Sequence, residues 1–195
     1  MQHFKWMVVS AIAAFFMVGG ISLEAEAKSQ LYKPAKGSIL RIAVTHPAKL
    51  VKAKAKRIKG KVFFAADGKG KFKLKGALSV RIKSIRSGNR RRDRAMWSAL
   101  RKARQPYIYF YPESLTWDGK KGAVSGTFKI NRKKKKVSFA VTKMEGTPDG
   151  KGKVTVKAKG HLLCSDFGVK RPSLLFVKIK NKVALKFSFI FKPKK

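Results

Sequence analysis

Two stretches of this chain alternate apolar and polar residues at every second position. From Lys71 to Lys83, one parity holds Phe72, Leu74, Leu78, Val80 and Ile82, and the other holds mainly lysine, arginine and serine. From Val183 to Phe191, valine, leucine and phenylalanine again share one parity. A period of two is the period of a β-strand with one buried face and one solvated face. The pattern predicts an antiparallel sheet whose outer face is covered with lysine.

Shorter segments of the same kind recur between glycine-containing turns. They cover residues 39–46, 61–66, 107–115, 124–130, 137–141, 154–158 and 160–167. Residues 91–104 instead have helical spacing that ends at Pro106, residues 31–38 look like a polar lead-in, and residues 49–60 fit either a helix or a strand. We therefore expect about eight short strands and one helix, in an antiparallel sandwich or barrel. A closed barrel would remove the exposed edges that long alternating strands create.

Four consecutive lysines, Lys133 to Lys136, separate two of these segments. Such a run could belong to a nucleic-acid-binding tail, but tails lie at termini and lack flanking strands. We interpret the run as the solvated loop of a hairpin, because charge blocks between alternating strands are usually exposed.

Residues 1–27 have the three parts of a secretory signal peptide. Lys5 supplies the positive start, residues 6–23 are uncharged and mostly apolar, and Ala25 and Ala27 precede a cleavage site at Lys28. An uncleaved membrane anchor is the alternative, because the apolar run is just long enough to span a bilayer. We predict cleavage, which leaves residues 28–195 as a single periplasmic or secreted domain.

The chain is basic almost everywhere, with 48 Lys and Arg against 9 Asp and Glu and a net charge of +39. Only 12 of these cations are arginine, the residue whose planar fork reads bases and grips phosphate in a bidentate manner. A lysine-dominated surface favours diffuse attraction to anions, and no specific nucleic acid is expected as a partner. Outside a cell those anions would be membrane lipids or envelope polyanions such as lipopolysaccharide or teichoic acid. The charge could equally serve solubility in the protein's environment.

Five short segments follow one another in a characteristic order between about Ile39 and Phe191. They are Val44–His46, Ser84–Asn89 with Arg92, Asp93 and Met96 behind it, Pro106–Phe110, Gly126–Ile130 and Ser165–Val169. In order and spacing, and with the export signal, they resemble the YceI-like family of exported lipid-binding proteins. The chain departs from that family in its central hairpin, where glycine is usual and Arg132 and the lysine run stand here. Its loops also carry lysine in place of the usual acidic residues.

The resemblance implies a lipocalin-like β-barrel that holds a long isoprenoid or other acyl-type lipid in an elongated cavity, without chemical turnover and without a cofactor. The candidates for lining that cavity are the apolar residues of the inward parity. They are Phe72, Leu74, Leu78, Val80, Ile82, Phe110, Phe128, Phe139 and Phe187. The same residues could fill a dry core, and then the barrel would be a scaffold for polyanion binding. Sequence parity alone leaves both readings open, and it leaves the oligomeric state open as well.

Catalytic or metal-binding chemistry has little support in the sequence. The histidines and carboxylates are scattered without metal-ligand spacing, and the one cysteine, Cys164, rules out an internal disulfide and is expected to be buried and inert. Asp93 lies in the first turn of the predicted helix, where a structural role beside Arg92 is expected. His46 and Arg92 are candidates for contacting a ligand headgroup, although a structural histidine is the commoner case.

Overall fold

A computed structural model describes residues 29–46, 49–101, 103–171, 173–174 and 177–194 of the chain. The signal peptide predicted for residues 1–27 lies outside them. The strands are β1 (Gln30–Pro34), β2 (Ile39–His46), β3 (Lys49–Ala55), β4 (Ile58–Ala66), β5 (Lys71–Arg81), β6 (Tyr107–Trp117), β7 (Gly122–Ile130), β8 (Lys133–Glu145), β9 (Val154–Leu163), β10 (Ser173–Leu174), β11 (Val177–Lys178) and β12 (Lys182–Pro193). The helix α1 spans Arg90–Ala99, and single 3-10 turns lie at Ile82–Ser84 and Ser165–Phe167. None of the helices in this part of the chain is long and apolar enough to cross a membrane.

Eight of these strands form a closed antiparallel barrel, which confirms the predicted fold class. The order around the barrel is β1, β4, β5, β6, β7, β8, β9 and β12, and β12 pairs back with β1. The β2–β3 hairpin attaches to the other part of β12, where Val183–Ser188 pair with Val44–Ile39. Lys54 of β3 also forms an isolated bridge with Arg86 in the segment after β5. Residues 49–60, which the sequence left undecided, therefore form β3 and the start of β4.

The segment predicted to be a polar lead-in, residues 31–38, contains a strand that closes the barrel. Tyr32 of β1 is fully buried, and its hydroxyl accepts a hydrogen bond from the Gly150 backbone N–H at 3.0 Å. Where the chain passes from β1 to β2, the Ser38 hydroxyl donates to the Ile190 carbonyl and accepts from the Ile190 N–H, at 3.1 and 3.0 Å. These side-chain bonds add to a backbone bond from the Ala35 N–H to the Ile190 carbonyl at 2.7 Å. The lead-in interpretation was wrong because the partners of β1, which are β4 and β12, lie far from it in sequence.

The lysine run is the first part of strand β8 and not the loop that we predicted. Lys133–Lys136 pair with Ile130–Thr127 of β7, and the turn consists of Asn131 and Arg132 alone. Both turn residues have positive φ, 50° and 64°, as a two-residue hairpin turn of the primed type requires. The lysine side chains are exposed, as expected. Charge predicted their solvation correctly but could not show that their backbone continues the ladder.

The helix is shorter than the predicted 91–104. Asn89 caps its N-terminus by accepting a hydrogen bond from the Arg92 N–H at 3.0 Å. It ends at Ala99, because Arg101 adopts a left-handed conformation with φ 49°, a common way to end a helix. The following turn brings the buried Gln105 back to the barrel, where its amide group donates to the Tyr107 carbonyl and accepts from the Arg132 N–H.

Aromatic rings form a continuous chain through the barrel interior. Successive contacts join Phe110, Phe128, Phe139, Phe187, Phe189, Phe191, Phe64 and Tyr32, with ring centroids 4.8–6.1 Å apart. Gly160 makes room for this chain, because a Cβ there would lie 2.4 Å from the Phe139 ring. The interior is thus filled by this chain of rings together with many buried valine, leucine and isoleucine side chains.

Candidate ligand site in the barrel

A small pocket remains inside the barrel between these aromatic side chains. Its volume is about 40 Å³, and no polar surface contributes to its lining. The lining residues come from β4, β5, β6, β7, β9 and β12, and they are Val62, Phe64, Leu74, Leu78, Phe110, Pro112, Leu115, Val124, Val156, Ala158, Phe187, Phe189 and Phe191. A volume of this size accepts at most a few water-sized groups. The described conformation is therefore close to a packed core with a residual apolar void.

Three phenylalanines at this pocket are only half-buried, although they belong to the inward face. They are Phe110, Phe187 and Phe189. By contrast, Phe139 beside them is almost completely buried, with 1% of its surface exposed. Side chains with unfilled space on one side lack dispersion contacts there, so they can change rotamer at lower cost than a fully packed ring.

The pocket adjoins an irregular place in the barrel wall. The pairing of β5 with β6 shifts between Lys73 and Leu78, and Pro112 sits at a second shift between β6 and β7. Proline cannot donate a ladder hydrogen bond, and Gly76 has φ 134°, a conformation that other residues rarely adopt. The wall is therefore least regular where Leu74, Phe110 and Pro112 reach the pocket.

All nine residues predicted to line a cavity lie on the inward side of the barrel, but only four of them reach the pocket. These four are Leu74, Leu78, Phe110 and Phe187. Val80, Ile82, Phe128 and Phe139 are buried in the core, and Phe72 packs against it. Their contact with a ligand stays a prediction.

Sequence reasoning missed several lining residues. Phe64 follows another phenylalanine, so its inward direction could not be chosen over that of Phe63 from the pattern alone. Phe189 and Phe191 continue the parity of Phe187 along β12 and could have been included on that signal. The alternation along β12 therefore indicated more of the pocket lining than Phe187 alone.

The two candidates for headgroup contacts are not among the residues that line the pocket. His46 is buried at the end of β2, with 4% of its surface exposed. Arg92 is exposed on α1, and its guanidinium donates to the Ser87 carbonyl at 3.3 Å. Their role towards a ligand stays a prediction.

Asp93 anchors the helix, and its charged partner is Arg86 instead of the neighbouring Arg92. The buried carboxylate accepts hydrogen bonds from the Ser87 backbone N–H and hydroxyl, both at 2.7 Å, and lies 3.6 Å from the Arg86 guanidinium. Arg86 also rests over the Trp97 ring, 4.5 Å from its centroid. This cluster supports the structural role expected for Asp93 and fixes the position of Arg86.

Lys133 and Lys135, which the sequence predicted only as part of a solvated loop, are further residues of interest. The pairing of β8 with β7 places them opposite Ile130 and Phe128, on the inward parity that also holds Phe139. They are nevertheless exposed, so they lie beyond the packed core, near the β7–β8 turn at Asn131 and Arg132. Amphipathic lysines in such a position can offer a cation to a polar group while their stems cover apolar surface.

The titratable groups of the described residues offer little for chemistry. Burial raises the pKa of the Cys164 thiol, and the charge of Arg171 opposes this effect only partly. A raised pKa reduces the thiolate fraction, which is the nucleophilic form. Within the described ranges, no group of three or more His, Cys, Asp and Glu side chains is placed to hold a metal ion.

Comparison with known proteins agrees with this architecture. The YceI-like domain matches residues 32–191, while no curated protein matches the chain. Among solved structures, BcnA of Burkholderia cenocepacia is similar with a TM-score of 0.64 and 16% identity, over 78% of this chain and 95% of that one. A polyisoprenoid-binding domain from Saccharophagus degradans has a TM-score of 0.59 and 15% identity, over 86% and 100% of the two chains.

The YceI protein of Campylobacter jejuni has a TM-score of 0.59 and 20% identity, over 74% of this chain and 85% of that one. At these identities, the likeness to solved structures establishes the fold alone. The domain match, however, extends from within β1 to within β12 and so includes the whole barrel. The chain belongs to the YceI-like family.

Proposed function

We propose that this protein is a non-enzymatic binding protein that holds a long isoprenoid or other acyl-type lipid inside the barrel. The observation that carries the proposal is the pocket lined by apolar side chains alone. A ligand without polar groups along its length would leave no buried polar atom unpaired there. The structural similarity to a polyisoprenoid-binding domain from Saccharophagus degradans supports the same ligand class.

Binding requires the interior to rearrange, because the pocket of about 40 Å³ is far smaller than a long hydrocarbon chain. The half-buried rings of Phe110, Phe187 and Phe189 are the side chains that would turn aside. Each methylene group buried contributes roughly 0.8 kcal/mol, so a long chain could offset several displaced rotamers. The irregular wall near Pro112 is the place where such a chain would pass between β5 and β6.

The test uses a fluorescent prenyl or fatty-acyl ligand and two matched alanine-to-valine variants. Ala158 is buried and lines the pocket, whereas Ala140 is exposed on β8. We expect Ala158→Val to reduce ligand uptake and Ala140→Val to leave it unchanged. Circular dichroism of both variants checks that they remain folded.

Salt separates this mode of binding from surface attraction. Apolar burial is not screened, whereas the Debye length falls from about 10 Å at 0.1 M to about 3 Å at 1 M salt. We expect ligand retention across this range. Ligand loss at high salt, together with equal uptake by Ala158→Val and the parent, would refute a ligand held in the barrel.

We also propose that the protein is exported, with residues 1–27 removed as a signal peptide. Ala25 and Ala27 before Lys28 support this cleavage site. Cleavage removes one cation, Lys5, and two carboxylates, Glu24 and Glu26, so the net charge rises from +39 to +40. N-terminal sequencing of the mature protein should begin at Lys28, and recovery of an intact, membrane-embedded Met1 form would show that the segment is an anchor.

A basic scaffold for anionic membranes or envelope polyanions is the second candidate function. The near-filled interior favours it, because a dry core needs no lipid. Under this alternative, heparin-column retention would fall steeply with salt while ligand uptake would be absent.

A further inference from the structure

A second and much larger concavity lies on the outer surface, between β3, β4, β5 and the segment that follows β5. Its volume is about 540 Å³, within the usual range for small-molecule sites. Three arginines line it, Arg57, Arg81 and Arg86. It shares no lining residue with the apolar pocket inside the barrel.

A continuous backbone frame surrounds this basic pocket. On one side, β4 pairs with β5, so that Lys59 lies opposite Ser79. On the other side, the Lys54 N–H donates to the Arg86 carbonyl at 2.8 Å, and the Arg86 N–H donates to the Lys54 carbonyl at 2.9 Å. The chain therefore leaves β3, runs through β4 and β5 and returns to β3 at Arg86. The concavity is built by the fold, unlike a chance gathering of mobile lysines.

The lining carries a high density of positive charge. Four lysines, Lys54, Lys56, Lys59 and Lys83, join the three arginines, and no carboxylate is among the lining residues. Bringing these like charges together costs free energy that a bound anion would recover. Arg86 has the buried Asp93 carboxylate as its partner, whereas the salt bridges among the described residues include none of the other six cations.

One of these cations is held in place before any ligand arrives. The Arg86 guanidinium lies 3.6 Å from the buried Asp93 carboxylate and 4.5 Å from the centre of the Trp97 ring. Its side chain is nevertheless 56% exposed. A preorganised arginine loses less rotamer freedom when it binds an anion.

The chemistry of the lining selects among anions. Arginine matches the oxygens of phosphate in a bidentate fork, and lysine adds compact point charges around them. Seven cations in one concavity exceed what a single carboxylate or monophosphate can neutralise. A volume of about 540 Å³ suits a small ligand, and Tyr107 adds an aromatic ring to the lining.

We propose that this basic pocket binds a compact anion with two or three linked phosphate groups. The ligand is a free di- or triphosphate compound in solution, held by Arg57, Lys59 and Arg81 against the fixed guanidinium of Arg86. This site is independent of lipid binding in the barrel, so either function can fail without the other.

The test compares two triple variants that remove equal charge. The pocket variant is Arg57→Gln, Lys59→Gln and Arg81→Gln, all at exposed positions that face outward. The control variant is K134Q, K136Q and K143Q, three exposed lysines on β8, three strands away from β5, or about 14 Å at the usual strand spacing. That distance exceeds the Debye length of about 8 Å at physiological salt.

Isothermal titration calorimetry with inorganic tripolyphosphate at 0.15 M salt measures the binding. We expect one saturable site in the parent and a loss of at least about tenfold in affinity for the pocket variant, the usual scale for charge-assisted hydrogen bonds. The control should change by less than about threefold, because its charges are screened. Orthophosphate should bind more weakly than tripolyphosphate.

Three results would overturn the proposal. The first is equal loss in the two triple variants, which would mean that net charge alone attracts the anion. The second is the lack of a saturable site in the parent. The third comes from vesicles that contain phosphatidic acid. If the pocket variant loses vesicle binding but keeps its affinity for tripolyphosphate, the concavity serves a lipid headgroup instead of a free phosphate compound.

Discussion

Replacing Phe139 with alanine tests whether the barrel interior is a packed core or an open cavity. The Phe139 side chain has 1% of its surface exposed. Its ring lies 4.8 Å from that of Phe187, 5.8 Å from that of Phe128 and 6.4 Å from that of Phe110, measured between centroids. It also covers Gly160, which has no side chain that could fill the space left by the ring.

The expected loss in the free energy of unfolding is about 3–5 kcal/mol, the range for a phenylalanine removed from a core that collapses only partly. The size follows from two contributions, the lost transfer of the ring from water and the cavity left among three neighbouring rings. Phe63 provides the control, because it lies on the outer face of β4 with 38% of its surface exposed. Phe63→Ala should cost less than about 1 kcal/mol.

Urea unfolding followed by circular dichroism measures both variants, with the m-value checked for constancy. The enlarged void should also accept more of a short prenyl ligand, since apolar cavities in proteins bind apolar guests. A loss below about 1.5 kcal/mol for Phe139→Ala, or a loss equal to that of the control, would refute the packed-core description. The interior would then be open space, and the contacts between rings would contribute little.

Three other perturbations test the parts of the fold that surround the two sites. Arg132→Val should cost about 1–3 kcal/mol in unfolding free energy, because φ at Arg132 is 64° and a β-branched residue tolerates that region poorly. Arg132→Asn should cost less, because asparagine adopts positive φ more readily, and an equal cost in the two variants would contradict this explanation. Asp93→Asn should cost about 1–3 kcal/mol and increase the mobility of Arg86, with loss of tripolyphosphate affinity as the second readout; unchanged unfolding would argue against the anchoring role. The backbone N–H groups of Lys121 and Lys120 donate hydrogen bonds to the Asp118 carboxylate and lower its pKa from the usual value. The ionised carboxylate therefore stabilises the fold above its unfolded pKa, and this contribution disappears as pH falls through the folded pKa. Asp118→Asn should therefore weaken the dependence of stability on pH below about 4, and an unchanged acid titration would refute the shift.

The strands with strict alternation could be predicted from the sequence because the period of two is a local signal. Most of the run from Lys71 to Lys83 forms β5, with its apolar parity facing inward, and the strand ends at Arg81, before the 3-10 turn Ile82–Ser84. In contrast, β1 has no such pattern, since Lys33 and Pro34 interrupt it. Its position depends on pairing with β4 and β12, and contacts so distant in sequence leave no periodic trace. The strand that completes the barrel was therefore the one that was missed.

The lysine run shows a different limit of local reasoning. Charge density predicted exposure, which is a property of side chains, and we extended it to the backbone. The two-residue turn at Asn131 and Arg132 depends on positive φ angles, and asparagine is a recognised signal for such a turn. A closer weighting of Asn131 would have moved the turn two residues earlier and continued β8 through Lys133.

The location of the apolar site could be predicted from parity, but its volume could not. Parity determines which side chains face inward, whereas volume depends on how rings from different strands meet. Gly160 lets the Phe139 ring lie over β9, and Gly126 would clash with the Phe110 ring if it carried a Cβ, at 2.9 Å. These contacts join residues from four strands. They turn a set of inward phenylalanines into a nearly filled core, with the remaining void beside the half-buried rings.

The position of the basic pocket could not be predicted from the sequence. Lysine and arginine occupy the outward parity along most of the barrel, so no single cation stands out in the sequence. What distinguishes this place is the return of the chain from β5 to β3 at Arg86 and the fixing of that guanidinium by Asp93. Lys134 and Lys136, on the outward parity of β8, are equally exposed but lie outside this frame. Because the inward parity alone determines the packing of the barrel, the outward parity can change its charge with little cost in stability. Substitutions in the basic pocket should therefore alter anion binding while the lipid site and the unfolding free energy stay nearly constant, which makes the two sites separable by experiment.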